Sequence, residues 1–174
     1  MGRSLAHAGP TYERISLMEK TPNGANVRFP PPLIYVIGLA LGLAAGRFLH
    51  VPDLGLPIET REFLGAALAV AGIFVSFAGA GLFLRHDTAI IPFKPATSLV
   101  TSGVYRWTRN PMYLGMALIY LGIAVFLNSL PALVLLAPVI WIVHTQVIAR
   151  EEAYLERAFG NEYIVYKNQV RPWI

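Results

Sequence analysis

Four apolar runs constrain this chain more than any other feature. They cover about 33–51, 63–84, 111–127 and 130–148 and hold few charged residues. About 20 apolar residues, at ~1.5 Å rise each, cross the ~30 Å hydrocarbon core of a bilayer. Within lipid only a helix or a closed barrel satisfies its own backbone. Composition agrees, because 14% of residues are charged where a soluble domain carries about 25%. The expected fold is an all-α integral membrane protein with four transmembrane helices. The last two are separated by little more than Asn128 and Ser129 and form a tight hairpin, each about 24–29 Å long at ~1.5 Å per residue. Pro131 suits an early helical position, and Pro138 is expected to bend the fourth run.

Charge gives an orientation. The loop between the first two runs carries Asp53, Glu59, Arg61 and Glu62 and is net acidic. Of the 14 lysines and arginines, all but Arg47 and Arg61 lie in the N-terminal tail, in the stretch 85–110, or after Ile148. An even number of spans puts these three pieces on one side, and the positive-inside rule makes that side the cytoplasm. Residues 1–32 read as a polar cytoplasmic tail closed by Pro30, Pro31 and Pro32, with no apolar core of the signal-peptide kind. Residues 33–174 read as one membrane domain ending in a cytoplasmic helical segment. A bacterial inner membrane is the expected location.

Small residues stripe two of the runs. Gly38, Gly42 and Gly46 are four apart, and Ala69, Gly72, Ser76, Gly79 and Ala80 give the second run a similar face. Such faces let helices approach closely in lipid, within one chain or between chains.

Several function classes are excluded or disfavoured. The chain has no cysteine, which removes disulfides, thiolate catalysis and Cys-ligated metals. The histidines at 7, 50, 86 and 144 are scattered, so no metal site is expected. No GxGxxG, Walker loop or HExxH occurs. No acid sits at mid-membrane, which argues against a proton-coupled transporter or channel. The one-sided net charge of +4 fits topology rather than nucleic acid, and no obligatory protein partner is evident.

The stretch from Gly103 to Gly115 (GVYRWTRNPMYLG) brings two arginines and two tyrosines to the edge of the third run. Asn110 suits a helix cap and Pro111 the first helical position. Arg109 then precedes a set of free backbone N–H groups that receive a carboxylate or phosphate. A plain alternative has Arg106 and Arg109 on lipid phosphates and Tyr105, Trp107 and Tyr113 in an interfacial aromatic belt. At the end of the fourth run stand Arg150, Glu151 and Glu152. On a continued helix His144 and Glu151 lie nearly on one face, with Glu152 beside them. Adjacent acids after an apolar span need a partner. Arg106, Arg109, Arg150, Arg157 or a bound ammonium group would serve, either as a structural network or as half of a site for a zwitterion. The middle loop also carries His86, Asp87 and Lys94, with Pro92, Pro95 and Gly103 shaping it. Tyr163, Tyr166, Arg171, Trp173 and Ile174 end the chain as an aromatic, basic tail that closes a pocket or anchors to the surface.

These residues resemble the isoprenylcysteine carboxyl methyltransferase and phospholipid N-methyltransferase group of integral-membrane enzymes. The resemblance rests on Gly103-Val-Tyr, Arg109-Asn-Pro-Met-Tyr-Leu-Gly115, Arg150-Glu-Glu-Ala-Tyr-Leu155, Phe159-Gly160 and Tyr163, and covers roughly residues 90–174. It implies S-adenosylmethionine held without a Rossmann domain, with S-adenosylhomocysteine as product. It implies cofactor contacts at Tyr105, Arg106, Asn110, Pro111, Tyr113, Gly115, His144 and Glu151. The catalytic side falls to Arg109, Glu152 and Arg171, with Tyr166 and Trp173 near the substrate. Eukaryotic carboxyl methyltransferases of the group usually have histidine where this chain has Asn110, which weakens the inference of a prenylcysteine acceptor.

The expected reaction is methyl transfer to a lipidic or small hydrophobic acceptor at the cytoplasmic membrane face. An isoprenylcysteine-type carboxylate is the acceptor that the family suggests, and a phospholipid amine or a thiol is the enzymatic alternative. A small membrane scaffold or transporter is the alternative of another class.

Overall fold

The computed structural model describes residues 29–49, 51–85 and 98–174. The polar tail up to residue 28, His50, and His86, Asp87, Pro92, Lys94 and Pro95 of the middle loop lie outside the described residues. All regular structure among the described residues is helical. Helix α1 (Pro31–Phe48) has prolines in its first turn, where their missing N–H groups have no helical acceptor. Helix α2 (Ile58–Arg85) has 28 residues. A 3-10 turn (Gly103–Arg106) leads to α3 (Pro111–Phe126) and α4 (Leu130–Val143). One π-helical turn (His144–Ile148) joins α4 to α5 (Ala149–Phe159), and α6 (Asn161–Gln169) follows. Gly160, at φ +55°, breaks the chain between α5 and α6 in a conformation that glycine adopts without steric cost.

Three helices are long and apolar enough to cross a membrane: Pro31–Phe48, Ile58–Leu84 and the continuous Leu130–Phe159. Helix α3 is apolar and has 16 residues. Phenylalanines 63, 74 and 77 of α2 are 72–74% exposed, an arrangement that suits hydrocarbon rather than water. The protein is of the integral-membrane kind. Two boundaries differ from the apolar windows by five residues or more. Helix α2 starts five residues before 63, and the last long helix runs on past 148 to Phe159. Hydropathy marks what lipid tolerates, whereas Glu, Arg and Ala extend a helix beyond it. That final 30-residue helix is about 45 Å long, so roughly its last ten residues project beyond a ~30 Å core.

The small-residue stripes pack within the chain. A Cβ on Gly38 would lie 2.3 Å from Val139 Cγ2, and one on Gly42 would lie 2.4 Å from Ala132 Cα, so the α1 stripe seats on α4. Cβ atoms on Gly72 and Gly115 would each lie 2.5 Å from the other residue's carbonyl oxygen. Gly65 and Gly122 repeat the contact two turns away, at 2.7 and 2.6 Å. Helices α2 and α3 therefore meet backbone to backbone, which is how apolar helices gain contact in a solvent as apolar as themselves. Tyr120, 2% exposed, crosses from α3 to donate to the Ala132 carbonyl at 3.0 Å.

The α3–α4 connection is short and closed by side chains. Asn128 takes φ +56°, which asparagine tolerates, and its Oδ1 accepts from Leu54 N at 3.0 Å. Ser129 caps α4 by accepting from Ala132 N, and Pro131 lies in the first turn as its position in the run predicts. Arg61 Nη1 donates to the Phe126 carbonyl at the end of α3 at 2.7 Å. Pro138 stands inside α4, which continues through it to Val143.

Candidate functional site

The site builds from the turn before α3 and from the two acids that open α5. Glu151 and Glu152 are sequence neighbours, so they point about 100° apart around the helix and meet different partners. Glu152 faces the loop. Arg109 Nε and Nη2 both donate to Glu152 Oε1, at 3.1 and 2.5 Å, and the two side chains are 8% and 14% exposed. Lys167 Nζ reaches Glu152 Oε2 at 3.1 Å and Glu156 Oε1 at 2.7 Å. The hydrogen bond with Glu156, and then Glu152, hold the Lys167 ammonium above the ordinary lysine range.

The remaining donors of Arg109 hold the C-terminal segment. Arg109 Nη1 donates to the carbonyls of Lys167, at 2.9 Å, and of Val170. Its backbone N–H donates to the Arg171 carbonyl at 3.0 Å. Thr108 Oγ1 and Asn110 Nδ2 both donate to the Pro172 carbonyl, at 3.1 and 2.9 Å. Asn110 thus stands at the cap position of α3 without capping it. Its amide ties down the tail instead, because the Pro172 carbonyl comes within its reach.

Glu151 faces inward, toward α3. Tyr113 Oη donates to Glu151 Oε1 at 2.6 Å, and Tyr35 Oη of α1 donates to the Tyr113 carbonyl at 3.0 Å. Among the described residues no cation pairs with Glu151. Tyr105, 4% exposed, meets the Phe83 ring at a tilt, with centroids 5.4 Å apart, and accepts through its carbonyl from Tyr166 Oη at 2.7 Å. Its own hydroxyl is buried and has no partner among the described residues. Burial raises the Tyr105 phenol above its ordinary value, and the nearby Tyr166 and Glu151 add to that. Among the described residues, a neutral O–H donor with no acceptor therefore lies near a carboxylate with no cation. Buried polar groups left this way are costly, and a ligand carrying both an anion and a cation would complete them.

The remaining expected site residues fall elsewhere. Gly115 packs against Ser76 and Gly72 of α2, and Pro111 is buried beside Gly79. Arg106 and Arg171 are exposed. His144 is exposed while Glu151 turns inward. The two do not share a face, because the π-helical turn (His144–Ile148) carries an extra residue and slips the register by about 100°. Tyr166 supports Tyr105, and Trp173 packs on the core. Sequence reasoning missed Tyr35, whose signal is a phenol hydroxyl placed in an apolar run. It also missed Thr108 and the double pairing of Lys167. Among the described residues no acid–histidine group is arranged to hold a metal.

A helical membrane protein with a charged, hydroxyl-rich centre at one end of its bundle is the class that fold and site define. Residues 60–162 match the family described as phospholipid methyltransferase, and the chain belongs to that family. It is 42% identical over 127 residues to the protein-S-isoprenylcysteine O-methyltransferase of Saccharomyces cerevisiae, covering 70% of this chain and 52% of that protein. The enzyme of the same name from Schizosaccharomyces pombe is 38% identical over 41% of this chain and 30% of its own length. Protein-S-isoprenylcysteine O-methyltransferase A of Arabidopsis thaliana is 36% identical over 46% of this chain and 41% of that protein. The chain thus spans about half or less of the length of these relatives. No solved structure matches it.

Proposed function

We propose that the protein is an S-adenosylmethionine-dependent methyltransferase acting on a lipidic acceptor, with an isoprenylcysteine-type carboxylate as first choice. The relatives' names support the reaction. The observation that carries it is the juxtaposition, among the described residues, of the Glu151 carboxylate, which has a hydrogen bond from Tyr113 but no cation, and the Tyr105 hydroxyl, which has no partner. The methionine end of the cofactor has an ammonium, a carboxylate and a sulfonium, so the donor set fits. Glu151, held by Tyr113, takes the cationic part, and the Tyr105 hydroxyl donates to the carboxylate. When bound, the cofactor supplies a methyl group already activated on sulfonium sulfur. The chain's part is to orient, to exclude water and to hold the acceptor. Arg109 and Glu152 clamp the C-terminal segment over this centre. An apolar groove of about 180 Å³ between α1 and α3, lined by Tyr35, Leu39, Met116 and Tyr120, suits a hydrocarbon tail.

The topology we propose has four spans, with α3 and α4 as a tight hairpin and both termini cytoplasmic. The distribution of lysine and arginine supports it. A phospholipid amine is the second reading. The family's description favours it, and Glu151 without a paired cation would accept the proton that an amine must lose.

The test is calorimetric binding of S-adenosylmethionine to the purified full chain, followed by transfer of labelled methyl to a farnesylated cysteine derivative or to phosphatidylethanolamine vesicles. Binding that Glu151→Gln abolishes is the expected result. A folded protein that binds no cofactor, with or without acceptor present, would overturn the reading.

A further inference from the structure

The 3-10 turn (Gly103–Arg106) sits level with the end of α2. A Cβ on Gly103 would lie 2.7 Å from Leu82, and the Tyr105 ring packs at a tilt against Phe83. Leu82 is three residues, about 4.5 Å, from the last residue of α2, so the turn lies where the apolar span meets the headgroups. Trp107, next in the chain, is 81% exposed. An indole so open at this depth suits the interfacial layer, which favours an amphipathic ring.

Two arginines flank it. Arg106 precedes Trp107, and the carbonyl of Arg171 accepts from Arg109 N at 3.0 Å, so the C-terminal segment runs beside the turn. Both arginines are exposed, and among the described residues neither shares an ion pair. The contrast with the neighbouring cations is informative. Arg109 and Lys167 are consumed by Glu152 and Glu156, whereas Arg106 and Arg171, among the described residues beside this turn, are exposed and able to meet an outside anion. Arginine offers a planar fork that matches phosphate oxygens.

We propose that Arg106, Trp107 and Arg171 form a seat for anionic phospholipid headgroups at the mouth of the site. The indole sits among glycerol and carbonyl groups, and the two guanidinium groups take phosphates of adjacent lipids. Negatively charged lipid is thereby enriched beside the site.

The test uses the full chain in vesicles, with Trp107 as the sole tryptophan through Trp141→Phe and Trp173→Phe. Trp107 fluorescence is measured with brominated acyl chains carried either by phosphatidylglycerol or by phosphatidylcholine, at constant total phosphatidylglycerol. Stronger quenching by the brominated anionic lipid is expected, corresponding to about a fivefold local preference per arginine. Arg106→Gln with Arg171→Gln should abolish the difference while leaving the backbone hydrogen bonds of the tail. Equal quenching by the two lipids in the parent, or a preference that survives in the double variant, would overturn the proposal. So would inorganic phosphate that displaces the brominated lipid at constant ionic strength, since the seat would then be one for a free anion.

Discussion

Tyr113 donates a 2.6 Å hydrogen bond to Glu151, joining the first turn of α3 to the first turn of α5 across the mouth of the bundle. The same tyrosine receives Tyr35 on its carbonyl, so α1, α3 and α5 are linked through Tyr113. A hydrogen bond to a charged group contributes about 1.5–3 kcal/mol. Tyr113→Phe is therefore expected to weaken S-adenosylmethionine binding by roughly 10- to 100-fold. Glu151→Gln should weaken it at least as much. Calorimetry on both variants checks this, and affinity within twofold of the parent would remove Glu151 from the binding site.

His144 gives the complementary expectation. It is exposed on the π-helical turn, off the face that carries Glu151. Surface substitutions of this kind change free energy by about 0.5 kcal/mol or less. His144→Ala should leave cofactor affinity within about twofold. A tenfold loss would mean that ligand binding unwinds the π turn and restores the shared face.

Much of the architecture is legible in the sequence, and the reasons are physical. Apolar length reports on the bilayer, so α1, α2 and the last long helix stand near their runs. The GVYRWTRNPMYLG stretch and the paired acids do come together in the fold as a candidate site, because charge at the end of an apolar span demands a partner. What the sequence hides is register. A single π turn separates His144 from Glu151, and no residue in His144–Ile148 announces it. The stripe Gly38, Gly42, Gly46 reveals a close approach but not its partner, since α4 meets it with Pro131, Ala132 and Val139, which form no matching small-residue stripe. Likewise Arg109 reads as an anion receptor, yet the folded tail occupies its donors with carbonyls from 167–171. Such long-range pairing leaves no local pattern.

The glycine contacts make a stability prediction with an internal control. A Cβ at Gly115 would lie 2.1 Å from Ser76 Oγ and 2.5 Å from the Gly72 carbonyl oxygen, and the second neighbour is backbone that cannot rotate away. Gly115→Ala should force α2 from α3 and cost about 1–3 kcal/mol, the usual range for overpacking. At Gly81 a Cβ meets nothing within 4 Å, and Gly81→Ala should be neutral or slightly stabilising. Thermal unfolding in detergent compares the two. Equal midpoints would deny the backbone-to-backbone contact.

Arg109 carries the last prediction. Its side chain gathers Glu152 and the carbonyls of Lys167 and Val170 into one nearly buried cluster. Lysine keeps the charge but lacks the fork, so it reaches Glu152 or the carbonyls and not both sets. Removing one partner of a buried ion pair costs about 3–5 kcal/mol, because the other charge is left in poor solvent. Here Lys167 still compensates Glu152, which places Arg109→Ala toward the lower end. The loss should be local, releasing α6 and the residues after it while α1 to α4 stay packed. Limited proteolysis reads this directly: both Arg109→Lys and Arg109→Ala should be cut faster after Gly160, with cleavage between α1 and α4 unchanged. Restored protection in Arg109→Lys would show that charge alone suffices, and that the carbonyl contacts contribute little to holding the tail over the site.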